Sequence, residues 1–238
     1  METVELRLKE VMAQLALPIK PEQEQLLLKY INLIIEGLSR QRLVGTRDSV
    51  EIIHKHIFDS LYPVTLNIFS PGEMLDLGTG AGLPGIPLKI MLSEQKIFFM
   101  DANRRKIVFL KKVCRELKLE QVVFLAGRAE EWARHPDYRE RFQTVVCRAV
   151  ADTAILAELA LPLAKLGGEV FLYKGPRGEN EAVAAKHALR LCGGEVKRIY
   201  HYRLPAGEKR TLVCLRKVEN TPVIYPRKPG KPAKKPLN

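Results

Sequence analysis

Closely spaced cysteines are missing from this 238-residue chain: Cys114, Cys147, Cys192 and Cys214 are scattered, with no two near each other. That excludes a CxxC metal knuckle or redox pair. Each stands in an apolar run, where a free thiol behaves as a small buried hydrophobe, and this usage fits a reducing compartment. Membrane-spanning apolar runs are also missing; even Ala149 to Ala164 carries Asp152 and Glu158. The opening METVELRLKE has no uninterrupted apolar segment and does not read as a signal peptide. A cytoplasmic protein without membrane or metal is the expectation. No internal repeat, no nucleophilic triad and no acidic Pro-Pro motif stand out, and acids are absent from Thr221 onward.

Positive charge, by contrast, is abundant. The formal net charge is +12, a field that favours a polyanionic partner, above all nucleic acid. A basic protein with no such partner is the alternative that charge alone leaves open. The length suits one α/β domain with an extension, and such a chain buries a sizeable core without disulfides or metals.

Three segments follow from the patterning. Residues 1–70 read as a helical extension, with Val4, Leu8, Val11 and Leu15, then Leu26, Tyr30, Leu33 and Ile34, at helical spacing on either side of Pro18 and Pro21. A third helix is predicted over Ser49 to Leu61, capped by Asp48 or Ser49. Residues 71–220 alternate short apolar strands with helices. The strands are predicted at Glu73–Leu77, Ile97–Asp101, Val122–Ala126, Thr144–Arg148 and Val170–Lys174, with helices over Arg104–Lys118 and Thr153–Leu166 among those between. That alternation implies a doubly wound, mainly parallel sheet. Val196–Leu204 and Arg210–Val218, joined by Pro205-Ala206-Gly207, read as a closing antiparallel hairpin. Residues 221–238 form a Pro/Lys-rich tail.

The stretch LDLGTGAGLPGIPLKI, Leu75 to Ile90, is a strand that breaks into glycines and restarts as an apolar helix. Glycines let backbone turn tightly and approach a ligand. Gly80, Gly82 and Gly85 also satisfy GxGxxG, which would place a dinucleotide pyrophosphate on the helix N-terminus. Two features shift the reading. Asp76 ends the strand, where a carboxylate suits a cationic ligand better than a pyrophosphate. Pro84 and Pro87 remove donors that a pyrophosphate would use. S-adenosylmethionine carries a sulfonium and an ammonium and no phosphate, so Asp76, Gly78, Gly80 and Gly82 read as its turn. Asp101, ending the second strand in FFMDANRRK, is placed to accept from ribose hydroxyls; capping the next helix is its other reading.

DLGTGAGLPGIPLKI resembles the bacterial small-subunit (16S) rRNA guanine-N7 methyltransferases, the glucose-inhibited division protein B family. LVGTRDSVEIIHKHIFDSL (Leu43–Leu61), AGRAEEW (Ala126–Trp132), VVCRAVA (Val145–Ala151) and YPRKPGKPAKKPL (Tyr225–Leu237) resemble further stretches of the same family, so the likeness spans nearly the whole chain. The chain departs from the family at Arg42-Leu43-Val44, commonly Asn-Leu-Thr, and at Cys147, frequently Ser. The resemblance implies a Rossmann-like class I methyltransferase fold, S-adenosylmethionine as cofactor and 16S rRNA or the small subunit as partner. It implies cofactor roles for Gly78, Leu83, Ala129, Glu130 and Arg148, with adenine recognition at Ala129 and Glu130. A monomer is expected.

Guanine N7 carries a lone pair and no proton, so its methylation needs no general base. Catalysis is then alignment, with Arg128 and Arg148 as positioning residues. A dipole-favoured acid is the other reading of Glu130, a salt bridge that of Arg148, a surface cation that of Arg128. His54 and His56 read as structural. For the RNA, one face of the basic helix (Arg104, Lys111, Arg115, Lys118), the tail with Arg227 and Lys228, and Lys174 at the end of a strand are the candidate phosphate contacts.

Overall fold

Central strands of a covered sheet are largely apolar, and their successive side chains feed opposite cores. That is what a computed structural model of the protein, describing residues 4–39 and 43–237, shows. Arg42, one of the departures noted above, lies outside the described residues.

The N-terminal helices are α1 (Val4–Gln14) and α2 (Pro21–Gly37). The expected third helix runs longer and is not uniform: α3 (Ser49–Glu51), a π-helical stretch over Ile52–Ile57, then α4 (Phe58–Thr65). Asp48 caps it by accepting from the Val50 amide at 2.9 Å. The alternating region follows as β1 (Met74–Leu77), α5 (Gly85–Met91), β2 (Ile97–Asp101), α6 (Arg104–Glu116), β3 (Val122–Ala126), α7 (Ala129–Trp132), β4 (Phe142–Arg148), α8 (Thr153–Ala160) and β5 (Ala164–Lys174). Helix α8 stops short of Leu166 because Pro162 has no N–H to continue the ladder, and β5 begins where the helix was expected to run on. Then come α9 (Gly178–Ala184), α10 (Lys186–Leu191), β6 (Gly194–Arg203), β7 (Lys209–Lys217) and α11 (Lys231–Lys234).

The seven strands form one sheet in the order β3-β2-β1-β4-β5-β7-β6. β1 to β5 are parallel, and β7 enters antiparallel between β5 and β6. Neighbouring residues on a strand split between two cores. Met74, Phe99, Val146 and Phe171 pack with the N-terminal helices, α5 and α6. Leu75, Phe98, Val145 and Leu172 pack with α8, α10 and Tyr225 of the tail. The N-terminal extension is therefore one layer of the domain: Leu8, Leu27, Tyr30 and Ile34 share a continuous core with the sheet. The tail belongs to the other layer.

Candidate functional site

The sheet order reverses between β1 and β4, and ligands of open α/β sheets bind outside the carboxyl ends of the strands at such a switch. The glycine turn sits there. Gly78 adopts φ +72°, and a Cβ on it would meet Val150 Cγ2 at 2.6 Å, so the turn and the segment after β4 touch as only glycine permits.

Asp76 holds the turn from beneath. Its Oδ2 accepts from the Thr79 hydroxyl at 2.6 Å and from the Gly85 amide at 2.9 Å. A Cβ on Gly85 would lie 2.5 Å from that oxygen. Burial pushes the Asp76 carboxyl up to about 7, against the pull of these two bonds. Asp76 Oδ1 has no hydrogen-bond partner. The side chain is wholly buried and does not face the cavity, which corrects its reading as a contact for a cationic ligand: it is the pin of the turn.

Asp101 Oδ2 accepts from the Gly80 amide at 3.0 Å and Oδ1 from the Asn103 amide at 2.8 Å, while Lys106 Nζ lies 3.9 Å away. The α6 cap is Asn103, which accepts from the Arg105 amide. Asp101 thus ties the end of β2 to the glycine turn and lines the cavity.

That cavity measures about 350 Å³. Gly78, Asp101, Arg128, Ala129 and Glu130 meet at it, with Met100, Ile155 and Leu159 as apolar walls. Gly80, Gly82 and Leu83 shape the turn outside the lining. The amides of Gly78 and Thr79 donate to Met100 O, those of Gly82 and Leu83 to Thr79 O, and that of Gly80 to Asp101. With those donors committed and Pro84 offering none, the turn has little to give a pyrophosphate. Apolar walls beside an acceptor-bearing acid fit a nucleoside without phosphate, as S-adenosylmethionine is.

Arg148 lies beside the cavity rather than in its lining. Its Nη1 donates to Asp59 Oδ2 at 3.1 Å and its Nη2 to His56 Nδ1 at 2.9 Å. Burial and the Arg148 charge push the His56 imidazole down to about 3, so it stays neutral and accepts. Asp59 also accepts from the Tyr202 hydroxyl and lies 3.7 Å from Arg210 Nε. Tyr62 stacks on Tyr202 at 3.8 Å between centroids. The salt-bridge reading of Arg148 is the one seen, with the partner supplied by the N-terminal layer. The sequence reading missed Asp59, Tyr202 and Arg210. The signal for Asp59 was present: His56 and Asp59 are three apart on one helix and share a face.

Two of the proposed phosphate contacts are corrected. Lys174 is buried and donates to Ala151 O at 2.6 Å and Glu181 Oε2 at 2.8 Å. Arg227 forks onto Glu158 with Nε at 2.8 Å and Nη2 at 2.6 Å. Both cations are spent on internal partners. Arg128, Lys228 and the Arg104, Lys111, Arg115 and Lys118 side chains are exposed, while Ile107, Leu110, Val113 and Leu117 of the same helical region are buried. Among the described residues no group of His, Cys, Asp and Glu is arranged for a metal, and no helix is long and apolar enough to cross a membrane.

A parallel sheet closed by an antiparallel β7, with a glycine turn after β1, is the Rossmann-like fold of S-adenosylmethionine-dependent methyltransferases. A SAM-dependent methyltransferase from Methanosarcina mazei shares the fold with TM-score 0.51 at 17% identity, over 66% of this chain and 98% of that one. TrmN from Thermus thermophilus does so with TM-score 0.53 at 18% identity, over 68% and 49%. More narrowly, residues 23–213 match the family model for rRNA small subunit methyltransferase G, and the chain belongs to that family. The protein of that name from Carboxydothermus hydrogenoformans is 40% identical over 235 residues, 98% of this chain and all of that protein. Its counterpart from Lachnoclostridium phytofermentans is 43% identical over 210 residues, 87% of each.

Proposed function

We propose that this protein transfers a methyl group from S-adenosylmethionine to N7 of a guanine in small-subunit (16S) ribosomal RNA. The observation that carries the reading is the committed state of the turn. Its amides bind Met100, Thr79 and Asp101 rather than a phosphate, and the cavity above it offers acceptors and apolar walls. The bound cofactor supplies an electrophilic sulfonium methyl.

What this chain supplies is position. Asp101 keeps lone pairs for the ribose hydroxyls, and its two backbone bonds fix their direction. Ala129 and Glu130 border the adenine side. No histidine or cysteine lines the cavity, and guanine N7 needs none, because its lone pair is free at neutral pH. Methylation at N7 leaves the base cationic. A bare guanidinium beside it would oppose that charge; Arg148 enters with its charge offset by Asp59 at 3.1 Å. Held beside the cavity by Asp59 and His56, Arg148 positions substrate or cofactor at low electrostatic cost, and Arg128 adds an exposed cation to the cavity lining. The exposed basic face of α6 and Lys228 engage RNA phosphates.

The test is incubation with methyl-labelled S-adenosylmethionine and small ribosomal subunits from cells lacking this enzyme, followed by nucleoside mapping. Label in 7-methylguanosine at one loop position is expected. Cofactor binding without label in the RNA overturns the substrate assignment.

A further inference from the structure

The Pro/Lys-rich tail has the composition of a solvated arm, yet it is fastened along its length. Tyr225 is buried in the second core. Arg134 donates to Pro226 O at 2.9 and 2.7 Å, and Arg139 to Thr221 O at 2.6 Å and Tyr225 O at 3.0 Å. Arg227 then forks onto Glu158, whose side chain is 1% exposed. A carboxylate so buried cannot be left without its cation, so this contact holds the tail down. Beyond it, the Gly230 amide donates to Glu130 Oε1 at 2.8 Å. Gly230, Pro232 and Ala233 then line the same cavity as Gly78, Asp101 and Ala129.

We propose that Tyr225–Lys235 is a strap completing the cofactor cavity. In this arrangement Gly230, Pro232 and Ala233 form the wall against the adenosine portion of bound S-adenosylmethionine, and Arg227–Glu158 is the latch. The assignment rests on the methyltransferase reading above. The chemistry of the wall suits adenosine. Glycine leaves room for close backbone approach, and a proline ring and an alanine methyl are apolar partners for a flat base. The cationic side chains of the strap are not in the lining: Lys228, Lys231 and Lys234 are exposed on its outside. Glu130 gains a second role, since its Oε1 joins the strap to the adenine side of the site.

The experiment is calorimetric binding of S-adenosylhomocysteine to the full chain and to a chain ending at Lys228. The shorter chain keeps Arg227 on Glu158 and loses the wall, together with the Arg227–Lys235 O bond, the Gly230–Glu130 bond and the packing of Leu237 on the second core. We expect its dissociation constant to rise about ten-fold or more, with the ligand-free shorter chain still melting in one cooperative transition. Equal affinity overturns the strap. Failure of the full chain to bind overturns the methyltransferase reading instead. Hydrogen exchange on the intact chain checks the same point without relying on a variant. The Gly230, Lys231 and Ala233 amides should exchange several-fold more slowly with ligand bound, and unchanged rates overturn the proposal.

Discussion

Gly85 shows how one side-chain atom decides a site. It opens α5, where alanine is ordinarily the better helix former. Here a Cβ would stand 2.5 Å from Asp76 Oδ2 and 2.6 Å from Phe99, both fixed inside the core. Crowding therefore outweighs propensity, and Gly85→Ala should lower unfolding free energy by roughly 1–3 kcal/mol in denaturant titrations. A stabilised variant would show that the contact relaxes at no cost. His56 makes a pH-dependent contribution. Its imidazole titrates near 6.5 when unfolded and is pushed down to about 3 when folded. Between those values the unfolded chain binds the extra proton, so this contribution is complete above 6.5 and is lost as pH falls toward 3. Asp76, pushed up to about 7, acts in the opposite sense: the folded state holds its proton while the unfolded state does not, so that contribution falls as pH rises from about 4 to 7. The difference between the native chain and His56→Gln isolates the first slope. The variant should lose less stability on acidification from pH 7 to 5, and parallel profiles would show that the buried imidazole takes up its proton as readily as a free one.

At the scale of elements, the N-terminal layer matters through single contacts to the site. Tyr30 on α2 donates to Ala81 O in the glycine turn at 3.1 Å, with both groups buried. Tyr30→Phe leaves that carbonyl unpaired and should cost about 1–3 kcal/mol of stability, read from the shift of the denaturation midpoint at unchanged m-value. No shift would mean water replaces the hydroxyl. Elements were legible in the sequence wherever one physical pattern decided them. β2 and β3 lie where the apolar runs predicted, and the hairpin ends fall within a few residues of their predicted positions. The π-helical stretch over Ile52–Ile57 was not legible, because the amide of Phe58 reaching back to Ile53 O leaves the apolar spacing nearly unchanged. His56 lies within that stretch, and Asp59 follows at the start of α4. The strap was hidden for a different reason. Its composition is that of a solvated arm, and its anchors Glu158, Arg134 and Arg139 lie on distant elements. Likewise Arg227 and Lys174 look like free cations until Glu158 and Glu181 are folded against them.

Taken as a whole molecule, the chain separates its charge by role. Some cations are internal, such as Lys174, Arg148 and Arg227, each within 3.1 Å of a carboxylate. Others, such as Lys111, Arg115 and Lys118 at one edge of the sheet and Lys228, Lys231 and Lys234 on the strap, stay in solvent. Only the second group has counterions to release when a phosphate backbone arrives. The logarithm of RNA affinity should therefore fall linearly with the logarithm of salt concentration. Replacing Lys111, Arg115 and Lys118 together with glutamine should flatten that line by about 0.7–0.9 for each phosphate contact removed. Lys174→Gln should lower stability, because Glu181 and Ala151 O lose their partner, and should leave the salt slope where it was. Filter binding to small-subunit RNA over a salt series separates the two groups. An unchanged slope in the triple variant would move the RNA off α6. A change in the Lys174 variant would mean that its bond to Glu181 opens when RNA binds.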